Sequence, residues 1–438
     1  MLFYIQTTLQ GSFMLLDLTK TPHSSVRQGE YVFPYYGEGS FANIPSSIVS
    51  YLTTGHAGVF QEVFDAAKVS CQKKKVLLFL VDGFGYTQFL RYAASYPLIS
   101  SLISSGAVTK ASAVFPSTTA AALSTIHTGL TPLEHGLPEW LVYFDEVEEL
   151  VETLPFRIQK SSKSGVLKGR SGSMLLSSET IYEKLAYYGI PSFVLDDAAH
   201  KGTTYSSVAC RGSTGLPYKD VGELFAKLAT HAEEAPAPSY SYVYWGGIDA
   251  VAHDFGPHSL EYKNALSAYF GHFEEFLKQM SETTARETTL IVTADHGQVL
   301  VDPEQAIYLN EFPFVRKNLA TKANGQKIAP WGSARDVFIR TRPGMAHHVA
   351  NFLKDTLGER TMVLETREAL ARGLFGHGTP HPRFLDRIGD LLVIPSGKNI
   401  VWYEHVAGQK YDMLGIHGGL HEDEMLVPFA VAQAIALK

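Results

Sequence analysis

The apolar and polar positions alternate between two periods along most of the chain. Val76–Val81 is apolar at every position and ends in Asp82-Gly83. A short unbroken run of this kind predicts a strand buried on both faces of a parallel sheet. Thr288–Thr293 predicts a second such strand, running into Ala294-Asp295-His296-Gly297. Tyr240–Trp245 alternates tyrosine with serine or valine and predicts a third, and Phe193–Leu195 a fourth. Between them the period becomes helical. Ile181, Leu185 and Tyr188 mark one helix, closed by Gly189; Val221, Leu224, Phe225 and Leu228 mark another. Leu266, Tyr269, Phe270, Phe273 and Leu277 mark a long amphipathic one. A helix is also expected around Pro45–Leu52, with peripheral strands elsewhere in residues 1–70. Strands alternating with helices predict an α/β fold.

Two stretches depart from this rhythm. Residues 331–396 carry their own strands (Val337–Arg340, Met362–Leu364, Leu391–Ile394) and a helix over Met345–Leu357. They predict a small inserted α+β lobe within one domain spanning 1–438. Residues 156–173 are rich in Ser, Gly and Lys and predict a mobile excursion.

Composition narrows the class. Of 438 residues, 45% are hydrophobic and 18% charged, enough apolar surface for a large core. The net charge of −7 gives no expectation of a nucleic-acid-binding surface. Cys71 and Cys210 can make at most one bridge and lack zinc-finger spacing. The N-terminal residues carry no basic segment or clear cleavage site, and no apolar run approaches the ~20 residues of a membrane span. A soluble, cytoplasmic protein is expected.

Candidate chemistry sits where the strands end. In open α/β sheets ligands bind beyond the carboxyl ends of strands, so Asp82 is a candidate metal ligand or catalytic carboxylate, or else a turn residue. Asp249 and His253 are four apart, on one side of a helical turn, and so able to hold one ion. Asp295-His296, released from the pleat by Gly297, makes a second metal candidate. In Gly415-Ile416-His417-Gly418-Gly419 the glycines free the backbone around His417, with His421 a competitor for its role. His377 and His381 repeat the four-residue spacing, but among Gly378, Pro380 and Pro382 they read as loop residues. Val114–Gly129 reads VFPSTTAAALSTIHTG. Ser117, Thr118 and Thr119 stand at the mouth of an alanine-rich helix, either as caps or beside a bound anion, since a helix N-terminus attracts negative charge.

The ordered set Asp82, Thr119, Asp249/His253, Asp295-His296, His417 resembles the alkaline phosphatase superfamily, most closely its type I phosphodiesterase/nucleotide pyrophosphatase branch. The motifs are D-x-x-x-H-x-x-G-P at Asp249, His253, Gly256 and Pro257, D-H-G at Asp295–Gly297 and H-G-G at His417–Gly419. The resemblance implies a three-layer α/β/α sandwich with a mostly parallel central sheet. It implies a nucleophile ten residues before the glycine of a T-G pair, which here is Thr119, with Thr118 as the fallback. The phosphodiesterase branch usually sets its threonine just before Phe-Pro, where this chain has Val114. The sulfatase signature C-x-P-x-R is absent.

The resemblance further implies two divalent ions, zinc or manganese by ligand type. Asp249, His253 and His417 would hold one; Asp82, Asp295, His296 and the Thr119 oxygen would hold the other. The implied reaction cleaves a phosphodiester or pyrophosphate bond of a small nucleotide-like substrate through a phospho-threonine intermediate. The alternative on this scaffold is a phosphomonoesterase or phosphonate hydrolase. A diesterase needs an apolar wall for the second ester group, for which Trp140, Tyr143 and Phe144 are candidates; the Lys160–Arg170 stretch offers the charge a monoesterase needs. A non-catalytic metal-stabilised binding protein is the rival from another class, and it would lack the nucleophile or a ligand.

Overall fold

The computed structural model describes residues 27–69, 74–159, 167 and 170–438. The expected strands of residues 1–26, Cys71, and residues 160–166 and 168–169 of the excursion lie outside the described residues.

Seven strands form the central sheet: β1 (Lys75–Val81), β2 (Ala107–Ser112), β3 (Ser192–Leu195), β4 (Thr214–Gly215), β5 (Ser239–Trp245), β6 (Thr288–Thr293) and, late in the chain, Leu426–Gln433. In space β1 lies between β6 and β5, with β3 and β4 beyond β5. These five are parallel, Phe79 lying beside Val243 and Val292 in register. Leu426–Gln433 lies between β6 and β2 and is antiparallel to both, so it alone runs against the rest.

Every residue of β1, β5 and β6 is buried. Side chains alternate between the faces of a strand, so burial at every position means that both faces are covered. The helices around the site include α1 (Thr119–Thr128), α2 (Pro132–His135), α3 (Ile181–Tyr187), α4 (Thr204–Ala209), α5 (Val221–Glu234), α6 (Gly247–Phe255) and α7 (Leu260–Gln279). On one face Phe79 packs against Phe225 of α5 and Phe273 and Phe276 of α7, with the Phe79–Phe273 ring centroids 4.3 Å apart. On the other, Tyr240 and Tyr242 of β5 meet Tyr182 of α3 and His127 of α1. The result is a three-layer α/β/α sandwich. Truncating Phe79 to alanine at its centre is expected to cost about 3–5 kcal/mol, because transfer and cavity terms add.

A second, four-stranded antiparallel sheet is built by β8 (Trp331–Gly332), β9 (Val337–Ile339), β10 (Thr361–Glu365) and β11 (Leu391–Pro395). Helix α8 (Ala346–Leu357) packs on β10. Val337, Ile339, Val349, Leu353, Val363 and Leu391 share a hydrophobic cluster separate from the main core. Between the two sheets β7 (Val299–Leu300) pairs antiparallel with β12 (Gly415–Ile416), which delivers His417 to the carboxyl end of the main sheet. The last strand of that sheet is β13 (Leu426–Gln433).

Candidate active site

The parallel strands converge their following residues at one end of the sheet. Asp82 follows β1 directly, Asp295 and His296 follow β6, and Asp249 and His253 ride on α6, which begins two residues after β5. Thr119 is the first residue of α1, and His417 arrives from β12.

These side chains form one buried cluster. Asp82 Oδ1 and Asp295 Oδ2 each lie 3.4 Å from His296 Nε2. Asp249 Oδ2 lies 3.2 Å from His253 Nε2, and Asp249 Oδ1 lies 3.7 Å from His417 Nε2. Thr119 Oγ1 is 3.1 Å from His296 Nε2. Ligand atoms of Asp82, Asp295 and His296 lie within 4.8 Å of one another, as do those of Asp249, His296 and His417. His296 thus belongs to both groups, while His253 joins the cluster through Asp249.

All three imidazoles are oriented alike. His253 Nδ1 bonds to the Gly415 carbonyl at 2.7 Å, His417 Nδ1 to the Ser117 carbonyl at 3.0 Å, and His296 Nδ1 to the Gly297 carbonyl at 3.1 Å. A carbonyl only accepts, so each Nδ1 carries a proton and each Nε2 points into the cluster. The carboxylates are held too. Asp295 Oδ1 accepts from the Gly83 and His296 amides at 3.1 and 3.0 Å, Tyr244 donates to Asp82 Oδ2, and Gln298 donates to Asp249 Oδ1. Gly415 permits the close approach of β12 to α6, since a Cβ there would stand 2.3 Å from the Ala252 carbonyl oxygen.

Electrostatics then ask for a cation. Asp82 Oδ1 and Asp295 Oδ2 are buried and receive no hydrogen bond. Burial, and the neighbouring Asp295 and Asp249 charges, push the Asp82 carboxyl well above its ordinary range. Burial and Asp249 push Asp295 up to about 7. Burial lowers His417 to about 4 and drives His296 well down as well. At His253 burial also opposes the charge, but the Asp249 carboxylate outweighs it and raises the group to about 9. Buried acceptors with no donor, facing neutral imidazole lone pairs, fit divalent cations and fit little else.

The two threonines differ. Thr118 is the N-cap of α1 and is buried, its hydroxyl without a partner; Thr119 is partly open to solvent and faces His296. No side chain caps α1, so the amides of its first turn remain for an incoming anion. Of the other candidates, His421 caps the Glu422–Met425 helix. His381 packs on Gly136 and donates its backbone amide to the Leu133 carbonyl of α2, and His377 lies edge-on to Tyr36. Tyr143 and Phe144 are core residues under Arg340 and Arg387, whereas Trp140 is exposed. Sequence reasoning missed Tyr244 and Gln298, which hold Asp82 and Asp249, and read Ser117 only as a cap or anion neighbour, whereas its carbonyl holds the His417 ring. No described helix is long and apolar enough to cross a membrane.

Comparison with known proteins places this arrangement. The model of the family "Type I phosphodiesterase / nucleotide pyrophosphatase" matches residues 76–420. A sequence comparison with curated proteins gives no match. Among solved structures, murine ectonucleotide pyrophosphatase/phosphodiesterase 5 superposes with a TM-score of 0.58 at 16% identity, over 82% of this chain and 88% of its own. An inactive variant of that protein in complex with AMP gives 0.59 over the same shares at 16% identity. Phosphonoacetate hydrolase from Sinorhizobium meliloti 1021, in complex with phosphonoacetate, gives 0.59 at 16% identity, over 83% of this chain and 94% of its own. The family match covers most of the chain: it belongs to the type I phosphodiesterase/nucleotide pyrophosphatase family of the alkaline phosphatase superfamily, and is a divalent-metal phosphoric ester hydrolase.

Proposed function

We propose that this enzyme cleaves a phosphodiester or pyrophosphate bond of a small nucleotide-like substrate, with Thr119 as nucleophile. The observation that carries the reading is the Thr119 hydroxyl, 3.1 Å from His296 Nε2 at the uncapped start of α1. Asp82, Asp295, His296 and Thr119 would hold one divalent ion, and Asp249, His253 and His417 the other; imidazole with carboxylate favours zinc, then manganese. Bound there, such ions lower the pKa of the attacking hydroxyl and offset charge on the phosphoryl oxygens.

The chain's own groups do the rest. Thr119 Oγ1 forms a bond to phosphorus as the bond to the leaving oxygen breaks, giving a phospho-threonine. The first-turn amides of α1 receive the phosphoryl oxygens. Water then attacks the same phosphorus and releases Thr119, so one water is consumed and two in-line displacements retain configuration. His296 and His417, locked by their Nδ1 bonds, keep the site's geometry fixed through both steps.

The leaving group has room beyond β3. A cavity of about 350 Å³ lies there, lined in part by Asp196, His200, Lys201, Ser206 and Arg211. The His200 ring is 6.1 Å from that of Tyr244, whose hydroxyl bonds Asp82. Lys201 also suits a more highly charged substrate, which favours the second reading, a phosphomonoesterase or phosphonate hydrolase. Residues 331–396 are read as a lobe inserted into the catalytic domain. The deciding assay compares a nitrophenyl phosphodiester with the monoester on zinc- and manganese-loaded enzyme, beside Thr119→Ala. Diester preference lost in the variant supports the first reading; monoester preference moves the enzyme to the second.

A further inference from the structure

Glu139 and Asp336 are buried carboxyl residues outside the cluster, and no basic side chain pairs with either among the described residues. Glu139 lies four residues after α2, on the chain that leaves the nucleophile helix, and Asp336 immediately precedes β9. The two residues are 197 positions apart in the sequence. Glu139 Oε2 accepts from the Trp140 amide and from the Leu141 amide at 3.3 Å. Asp336 Oδ1 accepts from the Ser333 amide at 3.2 Å and from the Ser333 hydroxyl. No donor reaches Asp336 Oδ2, yet the two carboxyl groups lie within hydrogen-bonding reach of each other.

Two carboxylates are acceptors only and repel in a buried setting. One proton between them converts the pair into a donor and an acceptor. Burial pushes both groups up, Glu139 to about 7, in the direction that retains that proton.

The pair leans directly on the turn that carries His417. Ser333 Oγ, held by Asp336, is 3.3 Å from the His417 carbonyl oxygen. Gly418 has φ +121°, and a Cβ on it would stand 2.5 Å from Ser333 Oγ, 2.8 Å from Asp336 Oδ1 and 3.2 Å from Thr118 Cγ2. So the Ser333–Asp336 corner presses on one side of the turn, while Ser117 accepts from the ring of His417 on the other.

We infer that Glu139 and Asp336 share one proton and act as positioning residues, fixing the His417–Gly418 turn against Thr118 through Ser333. The inference rests on the reading of His417 as a metal ligand. A residue that orients a ligand from behind acts on metal affinity, by roughly 10–100-fold when lost.

The test is calorimetric titration of Mn²⁺ into the full chain, freed of metal by a chelator. His417→Ala is the control for the underlying reading; if it binds as wild type does, His417 is no ligand and this inference falls with that reading. With His417→Ala weakened, Asp336→Ala and Ser333→Ala should each weaken binding by about 10-fold. Asp336→Asn should stay near wild type, because an amide supplies the donor that the shared proton supplied. Unchanged binding in both Asp336→Ala and Ser333→Ala would overturn the positioning role. Asp336→Asn as weak as Asp336→Ala would overturn the shared proton. Ser333→Ala removes one hydroxyl only, so it keeps the test open if Asp336→Ala does not fold.

Discussion

The rings of His296 and His417 lie face to face, 3.6 Å between centroids and 14° from parallel. Two stacked imidazoles so close cannot both be charged, and burial first, then their mutual repulsion, holds His296 neutral. With each Nδ1 bonded to a backbone carbonyl, both Nε2 lone pairs are available at neutral pH. The stack therefore presents two ligand atoms from chain segments 121 positions apart, His296 serving both carboxylate groups.

Thr119→Ala is expected to lower kcat by on the order of 10³-fold or more while leaving the fold intact, since it removes the attacking atom. Thr118→Ala should keep turnover within about tenfold, its hydroxyl being buried and aimed at no partner. Steady-state kinetics on the two variants decide it. Equal loss in both, or loss in Thr118→Ala alone, would move the nucleophile.

Chelation is expected to lower the thermal midpoint as well as abolish turnover. Without a cation, Asp82 and Asp295 leave buried acceptors unpaired. Restoring an ion at 100 times its Kd should return about 2.7 kcal/mol per site. Scanning calorimetry with and without Zn²⁺ measures this, and a midpoint indifferent to metal would contradict the assignment of the cluster.

Tyr244→Phe removes the donor to Asp82 without changing the strand it sits on. Metal affinity should fall by roughly 10-fold, as for other groups that orient a ligand. Competition with a chromophoric chelator reports it directly. Wild-type affinity in this variant would mean that Asp82 is held by its backbone position alone.

Acid stability should follow the buried histidines of α1 and α2. Burial lowers His127 and His135 to about 3, from an ordinary value near 6.5. Below 6.5 the unfolded chain binds protons that the folded chain refuses, so stability is full above 6.5 and is lost as pH falls toward 3. Each group contributes up to about 1.4 kcal/mol per pH unit in that window. Urea unfolding between pH 7 and 4 should show this slope, and His135→Gln should reduce it. His135 accepts from the Leu137 amide and bonds Thr125, contacts a glutamine amide can partly replace.

Much of the layer structure was legible in the sequence. The unbroken run Val76–Val81, ending in Asp-Gly, predicted a strand covered on both faces, and β1 spans Lys75–Val81, buried throughout. The helical periods at Val221–Leu228 and Leu266–Leu277 became α5 and α7, because apolar positions three and four apart must share a buried side. Asp82, Asp249, Asp295 and His296 could be nominated for the same reason: strand ends and helix turns are local, and local geometry follows from local sequence.

What only the tertiary structure decided is which groups meet. The sequence paired His253 with Asp249 by helical spacing, and that contact is present at 3.2 Å. It could not place His296 against both carboxylate groups, since that depends on β12 bringing His417 alongside β6. Nor could it separate Thr118 from Thr119, adjacent residues of the same chemistry whose side chains leave the helix start in different directions. The Tyr244, Gln298 and Ser117 contacts, and the meeting of Glu139 with Asp336 across 197 positions, have no trace in spacing. Period and composition fix what each segment buries; the packing of distant segments fixes which lone pairs share a pocket.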